Sequence, residues 1–173
     1  MTGHESIEEP DRFRIDTLGA ELYRVIIDQY EENGHVTYRA FMLTNEDKED
    51  SNRSSFVQGK ITDPLTAYTN RSDTIRRRKE AEGKDFVPPY GTVGFTVEEI
   101  ERVGAELGIE DTPPVLTAWD DAHMADRPDD HAHVDYSLVA NSKGQVRNVA
   151  KQLADQAKEN GWKFVPRDAD PRT

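Results

Sequence analysis

The sequence predicts an α+β domain in which a small antiparallel or mixed β-sheet packs against about three helices. Short segments rich in β-branched and aromatic residues are interspersed with segments of helical period, and turn residues separate them. The length of 173 residues fits one continuous core, and no internal repeat is present. We therefore predict an acidic, disordered leader at residues 1–11, a single domain at 12–166 and a loose tail at 167–173.

The first elements of this domain can be interpreted in two ways. Residues 23–27 have strand chemistry, and the turn pair Asn33-Gly34 leads into a second β-rich run at 36–43, so we predict a hairpin. The alternative is a helix between Thr17 and Gly34, because apolar residues also recur there at helical spacing.

The middle of the chain alternates loops and helices. Residues 44–55 lack large apolar side chains and predict an exposed loop, and residues 56–61 predict a short strand. Asp63 followed by Pro64 is typical of a helix start, and we expect this helix to reach Gly83. A short strand is predicted at 93–95. Thr96 and Glu99 then form a capping box, which opens a helix that we expect to end at Gly108.

The last third predicts two strands and one helix. Residues 115–119 read as a strand, residues 120–130 as an acidic loop, and residues 131–140 alternate strictly, as in a half-buried strand. Ser142 with Gln145 can cap a final helix that ends at Gly161. Its inward positions are Val146, Val149, Ala150, Leu153 and Ala157. We expect Trp162 and Phe164 to fold back onto the core.

Composition excludes several kinds of site. The chain has no cysteine, so disulfides, thiolate nucleophiles and cysteine-ligated metals are impossible. Its net charge of −12 counts against nucleic acid and anionic membranes as partners. No stretch is long and apolar enough for a membrane span or a secretion signal, so we expect a cytoplasmic protein. The excess of acidic residues resembles proteins of salt-accumulating archaea.

The region 120–135 concentrates groups that can bind metals. On a strand, His131, His133 and Asp135 project from one face, and two imidazoles with a carboxylate could share a divalent cation. The alternative is that these residues form the solvent-facing half of an amphipathic strand.

A basic run interrupts the acidic sequence. Its residues are Arg76, Arg77, Arg78 and Lys79, with Arg71 seven positions before Arg78. Consecutive helical positions point in different directions, so the run predicts a solvated helix end. The alternative is a site for an acidic partner or a phosphorylated ligand.

A third pattern is an order of residue types. Arg24, Ser54-Ser55 and Glu98-Glu99 follow one another in the Arg, Ser, Glu order, which is similar to that of ADP-ribosyltransferases. The resemblance implies ADP-ribosyl transfer; it includes no flanking motif, and Glu99 already belongs to the capping box.

The sequence favours a non-catalytic interaction or regulatory module with a protein partner, because no phosphate-binding loop and no nucleophile elbow is present. One alternative is a metal-dependent hydrolase using a His-x-His-x-Asp cluster and a divalent metal. Another is a phosphate- or nucleic-acid-binding module that uses the basic helix. Oligomeric state stays open.

Overall fold

A computed structural model of the chain describes residues 12–105, 114–124 and 126–166. The expected acidic leader at 1–11 and the expected tail at 167–173 lie outside the described residues.

Strands and helices alternate along the described chain. The strands are Phe13–Arg14 (β1), Glu21–Ile26 (β2), Glu31–Glu32 (β3), His35–Val36 (β4), Arg53–Gln58 (β5), Gly91–Thr96 (β6), Thr117–Asp120 (β7) and His131–Asp135 (β8). The α-helices are Asn45–Glu49 (α1), Pro64–Ala81 (α2), Val97–Arg102 (α3) and Lys143–Asn160 (α4), and short 3₁₀ helices cover Asp28–Tyr30 and Tyr38–Phe41. Of the helices in these ranges, none has the length and apolar character required to cross a membrane.

Six strands form one sheet in the order β1-β7-β8-β5-β2-β6, and β3 and β4 form a separate hairpin. Every pairing among the described strands is antiparallel. The predicted α+β class with an antiparallel sheet and a few helices is confirmed.

Helices cover both faces of the sheet near β6. Thr92 of β6 donates a hydrogen bond from its hydroxyl to the carbonyl of Pro64, at the start of α2. Val93 and Phe95, which alternate to the other face, join the hydrophobic core that includes Val149 and Leu153 of α4. Strand alternation therefore places α2 and α4 on opposite faces.

The predicted helix starts are confirmed by their caps. Asp63, Thr96 and Ser142 each accept a hydrogen bond from a backbone N–H of the first turn of α2, α3 and α4, respectively. These bonds satisfy amides that have no partner within the helix. The five predicted inward residues of α4 are all buried. The capping residues therefore predicted the starts of these helices correctly.

The predicted hairpin between residues 23–27 and 36–43 is wrong, although its turn is correct. Asn33 and Gly34 both have positive φ, at 54° and 82°, and connect β3 to β4. After Val36 the chain forms the 3₁₀ helix Tyr38–Phe41 instead of a strand. Ala40 and Phe41 are consecutive and both buried, which a strand with one packed face does not allow.

The predicted loop at 44–55 contains a helix and the first residues of a strand. Thr44 and Asp47 form a capping box, which stabilises α1 in a segment without large apolar residues. β5 begins at Arg53, not at residue 56, and ends at Gln58. Local hydrogen bonding and sheet pairing outweighed the polar composition here.

α3 is shorter than predicted. It ends at Arg102, and Gly104 has a φ of 83°, so the chain turns there. A Cβ at Gly104 would lie 2.9 Å from Cβ of Val115, which means that the turn packs against the approach to β7. The expected helix end at Gly108 lies outside the described residues.

β8 also ends earlier than the alternation predicts. After Asp135 the chain turns, and an Asp135 carboxylate oxygen accepts the Ser137 N–H at 2.7 Å. The predicted alternation over 131–140 is wrong at its end: Leu138, which the alternation places on the same face as the buried Val134 and Tyr136, is exposed, whereas Val139 is buried. The turn reverses the alternation that the sequence suggested.

In the main sheet, β2 and β5 are paired over only a short part of their length. These strands share only two register pairs, Leu22 with Gln58 and Tyr23 with Val57. β2 pairs with β6 over six positions and β5 with β8 over five. The strands therefore separate beyond Tyr23, and the sheet opens at that end.

Candidate functional site

The opening between β2 and β5 forms a cleft of about 660 Å³. The side of the cleft formed by α2 carries Arg71 and Arg78, and the side formed by β8 and the preceding loop carries Arg127 and His131. Its acidic lining residues are Glu46, Asp47, Asp126 and Asp130. A shallower depression of about 410 Å³, between the β3–β4 hairpin and α4, has fewer converging charges. The cleft is therefore the candidate site.

Only some residues of the predicted basic run face the cleft. Arg71 and Arg78 are seven positions apart, almost two helical turns, and both face the cleft. Arg76 pairs with Asp73 on the exposed helix surface, and Arg77 Nε donates to the Asp73 carbonyl at 3.4 Å. These two arginines and Lys79 do not line the cleft. Of the predicted set, only Arg71 and Arg78 belong to the site.

A third arginine reaches the same cleft from β2. The Arg24 guanidinium carbon lies 5.3 Å from the centre of the Phe56 ring, and Arg24 donates hydrogen bonds to the Ser54 hydroxyl and, at 3.5 Å, to the Ser55 carbonyl. These contacts span the gap between β2 and β5. A hydroxyl, a carbonyl and an aromatic ring thereby hold Arg24 in place.

The three arginines influence one another. Loss of water around its guanidinium lowers the pKa of Arg71, and the charges of Arg78 and Arg24 lower it further. Glu46 acts in the opposite direction. In the ranges that the structure describes, Arg24, Arg71 and Arg78 form no ion pair within 4.0 Å. The cleft thus holds like charges that the described side chains do not neutralise directly.

The other side of the cleft is built on Asp121. This carboxylate has no solvent-accessible surface, and it lies between His131 and His133. Its Oδ1 contacts His131 Nδ1, and its Oδ2 is 3.1 Å from His133 Nδ1. Burial alone raises the pKa of Asp121, but the hydrogen bonds and charges of the two histidines outweigh it and hold the pKa well below its usual range.

His131 links Asp121 to the cleft. Its Nε2 lies 3.3 Å from the Ser55 hydroxyl and 3.2 Å from Nη1 of Arg127. Arg127 is held by Asp50, which accepts a hydrogen bond from Nη2 at 2.8 Å. Asp121, His131 and Ser55 therefore form a continuous chain of contacts from the protein interior to the cleft.

The interpretation of the histidines as a solvent-facing edge is wrong. His131 and His133 are 8% and 2% exposed, and Asp121 and Arg127 of the preceding loop contact them. Trp119 stacks on His133 with a ring separation of 6.3 Å. Both imidazoles are buried polar groups whose hydrogen bonds to Asp121 offset the cost of burial.

The structure does not bring the three predicted metal ligands together. His131 and His133 converge on Asp121, whereas the Asp135 carboxylate caps the turn after β8. No group of three or more His, Cys, Asp or Glu side chains in the described ranges is arranged to hold a metal ion. Metal binding by this set stays a prediction.

The structure does not bring together the residues whose Arg, Ser, Glu order is similar to that of ADP-ribosyltransferases. Arg24 contacts Ser54, but Glu99 caps α3 and accepts a hydrogen bond from Gln156 of α4 at 2.6 Å. Glu98 pairs with Arg102 on an exposed surface. Neither glutamate lines the cleft, so the three residue types do not form one site.

Comparison of the chain with protein-family models, with curated proteins and with solved structures finds no match. Function is therefore inferred from the cleft itself.

Sequence reasoning missed the roles of Ser55, Asp121 and Arg127 at this site. Ser55 and Asp121 come from strands and loops that are far apart in sequence, and no local motif joins them. The sequence signals that pointed to parts of the cleft were the spacing of Arg71 and Arg78, the histidine-rich segment with His131, and the order of Arg24 and Ser54-Ser55.

Proposed function

We propose that this protein binds a small ligand with a phosphate group in the cleft between β2 and β5. One observation carries the proposal: Arg24, Arg71 and Arg78 converge there without direct ion pairs among the described residues, in a chain with a net charge of −12. Carboxylates are abundant in this protein, yet none pairs with these guanidinium groups in the described ranges. A bound phosphate would pair directly with these guanidinium groups.

The cleft chemistry favours phosphate over a neutral ligand. Arginine presents its N–H donors in a fork that matches two oxygens of one phosphate, and three arginines can surround it. Like charges that crowd together cost free energy in the unliganded protein, and an anion offsets that cost. Loss of water is the larger cause of the lowered pKa of Arg71, and the charges of Arg78 and Arg24 lower it further through the same repulsion.

The ligand is proposed to be small. A volume of about 660 Å³ accommodates a metabolite-sized molecule. The acidic lining residues and the net charge repel a long phosphate backbone, which counts against nucleic acid. Of the five basic residues in the sequence hypothesis of phosphate binding, the proposed site keeps Arg71 and Arg78. It adds Arg24 from β2. A protein partner stays a prediction.

The test is isothermal titration of the full chain with inorganic phosphate at low ionic strength. We expect saturable binding at one site, and we expect Arg71→Gln or Arg78→Gln to weaken it about 10-fold, as for loss of one charge-assisted hydrogen bond. Arg76→Gln is the matched control, since it removes the same charge from the same helix outside the cleft. Absence of saturable binding, or equal weakening in all three variants, would contradict the proposal.

A further inference from the structure

The geometry points to Ser55 as a nucleophile that accepts an acyl group from a phosphate-bearing acyl compound, with His131 as its general base. Asp121 acts as the positioning residue for His131. The inference rests on the proposed phosphate site, because the arginines of the cleft would hold the phosphate of the substrate.

The sheet register explains why Ser55 and His131 meet. Ser55 of β5 is paired with His133 of β8, and Val57 is paired with His131. Directly opposed residues of an antiparallel pair project from the same face, so His131 is the diagonal neighbour of Ser55. Ser55 is exposed and lines the cleft, whereas the imidazole beside it is buried. A hydroxyl open to a ligand thus contacts a base held within the protein.

Asp121 determines which ring nitrogen of His131 carries the proton. With Oδ1 of the carboxylate at Nδ1, the neutral ring carries its proton on Nδ1 and donates it to Asp121. The lone pair of Nε2 then points towards the Ser55 hydroxyl, 3.3 Å away. This order of carboxylate, imidazole and hydroxyl is the arrangement by which a serine is activated for nucleophilic attack.

Arg127 places a positive charge beside the reacting atoms. Its Nη1 is 3.2 Å from the same Nε2, so two donors compete for one lone pair. A substrate phosphate would compete for the Arg127 N–H and leave Nε2 to the Ser55 hydroxyl. The Arg127 guanidinium, anchored by Asp50, then stabilises negative charge as it develops on the substrate.

The proposed reaction has two balanced steps. Ser55 Oγ forms a bond to the carbonyl carbon of an acyl phosphate, its proton passes to His131 Nε2, and the bond from carbon to the phosphate oxygen breaks. Phosphate leaves with the electron pair of that bond and takes the proton from His131. Water then attacks the acyl carbon and gives a proton to His131 Nε2, the bond from that carbon to Ser55 Oγ breaks, Oγ takes the proton from His131, and the carboxylic acid is released.

The experiment compares two acetyl donors on the full-length protein: acetyl phosphate, and p-nitrophenyl acetate, which carries the same acetyl group without phosphate. Release of phosphate or p-nitrophenol is followed over time, and intact-mass and peptide mass spectrometry locate any acetylated residue. We expect turnover of acetyl phosphate and an acetyl group on Ser55 after rapid quenching.

Variants separate the roles of the three residues. Ser55→Ala and His131→Gln should each lower kcat for acetyl phosphate about 100-fold or more. Asp121→Asn should lower kcat with little change in KM, because the phosphate contacts stay in place. Ser137→Ala removes an exposed hydroxyl outside the cleft and should match the wild type, while Arg71→Gln should raise KM for acetyl phosphate more than for p-nitrophenyl acetate.

The phosphate titration distinguishes the two proposals. If phosphate binds but neither donor is turned over and Ser55 is never acetylated, the nucleophile is wrong and the binding site stands. Turnover that survives Ser55→Ala would likewise exclude Ser55 as the nucleophile. If p-nitrophenyl acetate acetylates Ser55 but phosphate does not bind, Ser55 is a nucleophile and the phosphate-bearing substrate is wrong.

Discussion

The two sides of the cleft differ in whether their charged side chains are paired. On the α2 side, Arg71 and Arg78 face the opening without a direct ion pair among the described side chains, and their charges repel one another. On the β8 side, Arg127 binds Asp50 and His131 binds Asp121. Paired charges fix the positions of side chains, whereas crowded charges of one sign attract an ion of the other sign. The cleft therefore combines a side whose charged groups are paired with a side suited to an anionic ligand.

This contrast predicts that the β8 side contributes most to stability. Asp121→Ala should lower the free energy of unfolding by about 3–5 kcal/mol, because it leaves two buried imidazoles without their acceptor. Urea denaturation measures the change. Asp129→Ala, at an exposed position in the same loop, should change stability by less than about 0.5 kcal/mol.

If Asp121→Ala fails to fold, Asp121→Asn keeps the shape and removes the charge, and it should lie between the wild type and Asp121→Ala in stability. Stability equal to that of Asp129→Ala would show that the paired charges do not organise this side of the cleft.

The pH dependence of stability tests the same carboxylate. A group whose pKa is lowered by folding contributes stability that is present above its unfolded pKa, 3.8 for aspartate, and is lost as the pH falls towards its folded value. The stability difference between wild type and Asp121→Asn should therefore shrink by about 1 kcal/mol or more when the pH is lowered from about 6 to about 3. Parallel loss in both proteins would contradict the role of Asp121.

The smallest predicted effects distinguish the arginines of α2. Arg71→Gln and Arg78→Gln should leave stability unchanged or raise it by up to about 0.5 kcal/mol at low salt, because they relieve repulsion. Arg76→Gln should lower it by a similar amount through loss of its pair with Asp73. Urea denaturation in a phosphate-free buffer measures these changes.

Added phosphate sharpens that contrast. Phosphate should stabilise the wild type and Arg76→Gln by mass action, and Arg71→Gln less. Destabilisation by Arg71→Gln in the absence of phosphate would mean that Arg71 has a structural partner.

Most secondary-structure elements could be predicted from sequence where contacts between residues close along the chain determine them. The caps at Asp63, Thr96 and Ser142 depend on residues within one helical turn, so sequence located these helix starts correctly. Residues 36–43 and 131–140 were assigned incorrectly beyond their first residues, because burial of Phe41 and Val139 depends on elements that are distant in sequence. Alternation predicts a strand only where the same neighbours continue along it.

The sequence by itself determined the α+β class, the helix starts, the absence of cysteine chemistry and the strong negative charge, because each depends on composition or on residues close along the chain. Only the tertiary structure decided that Asp121 joins His131, that His131 reaches Ser55, and that Arg24, Arg71 and Arg78 line one cleft. These contacts follow from strand register and from the separation of β2 and β5, and both depend on pairing between segments far apart in sequence.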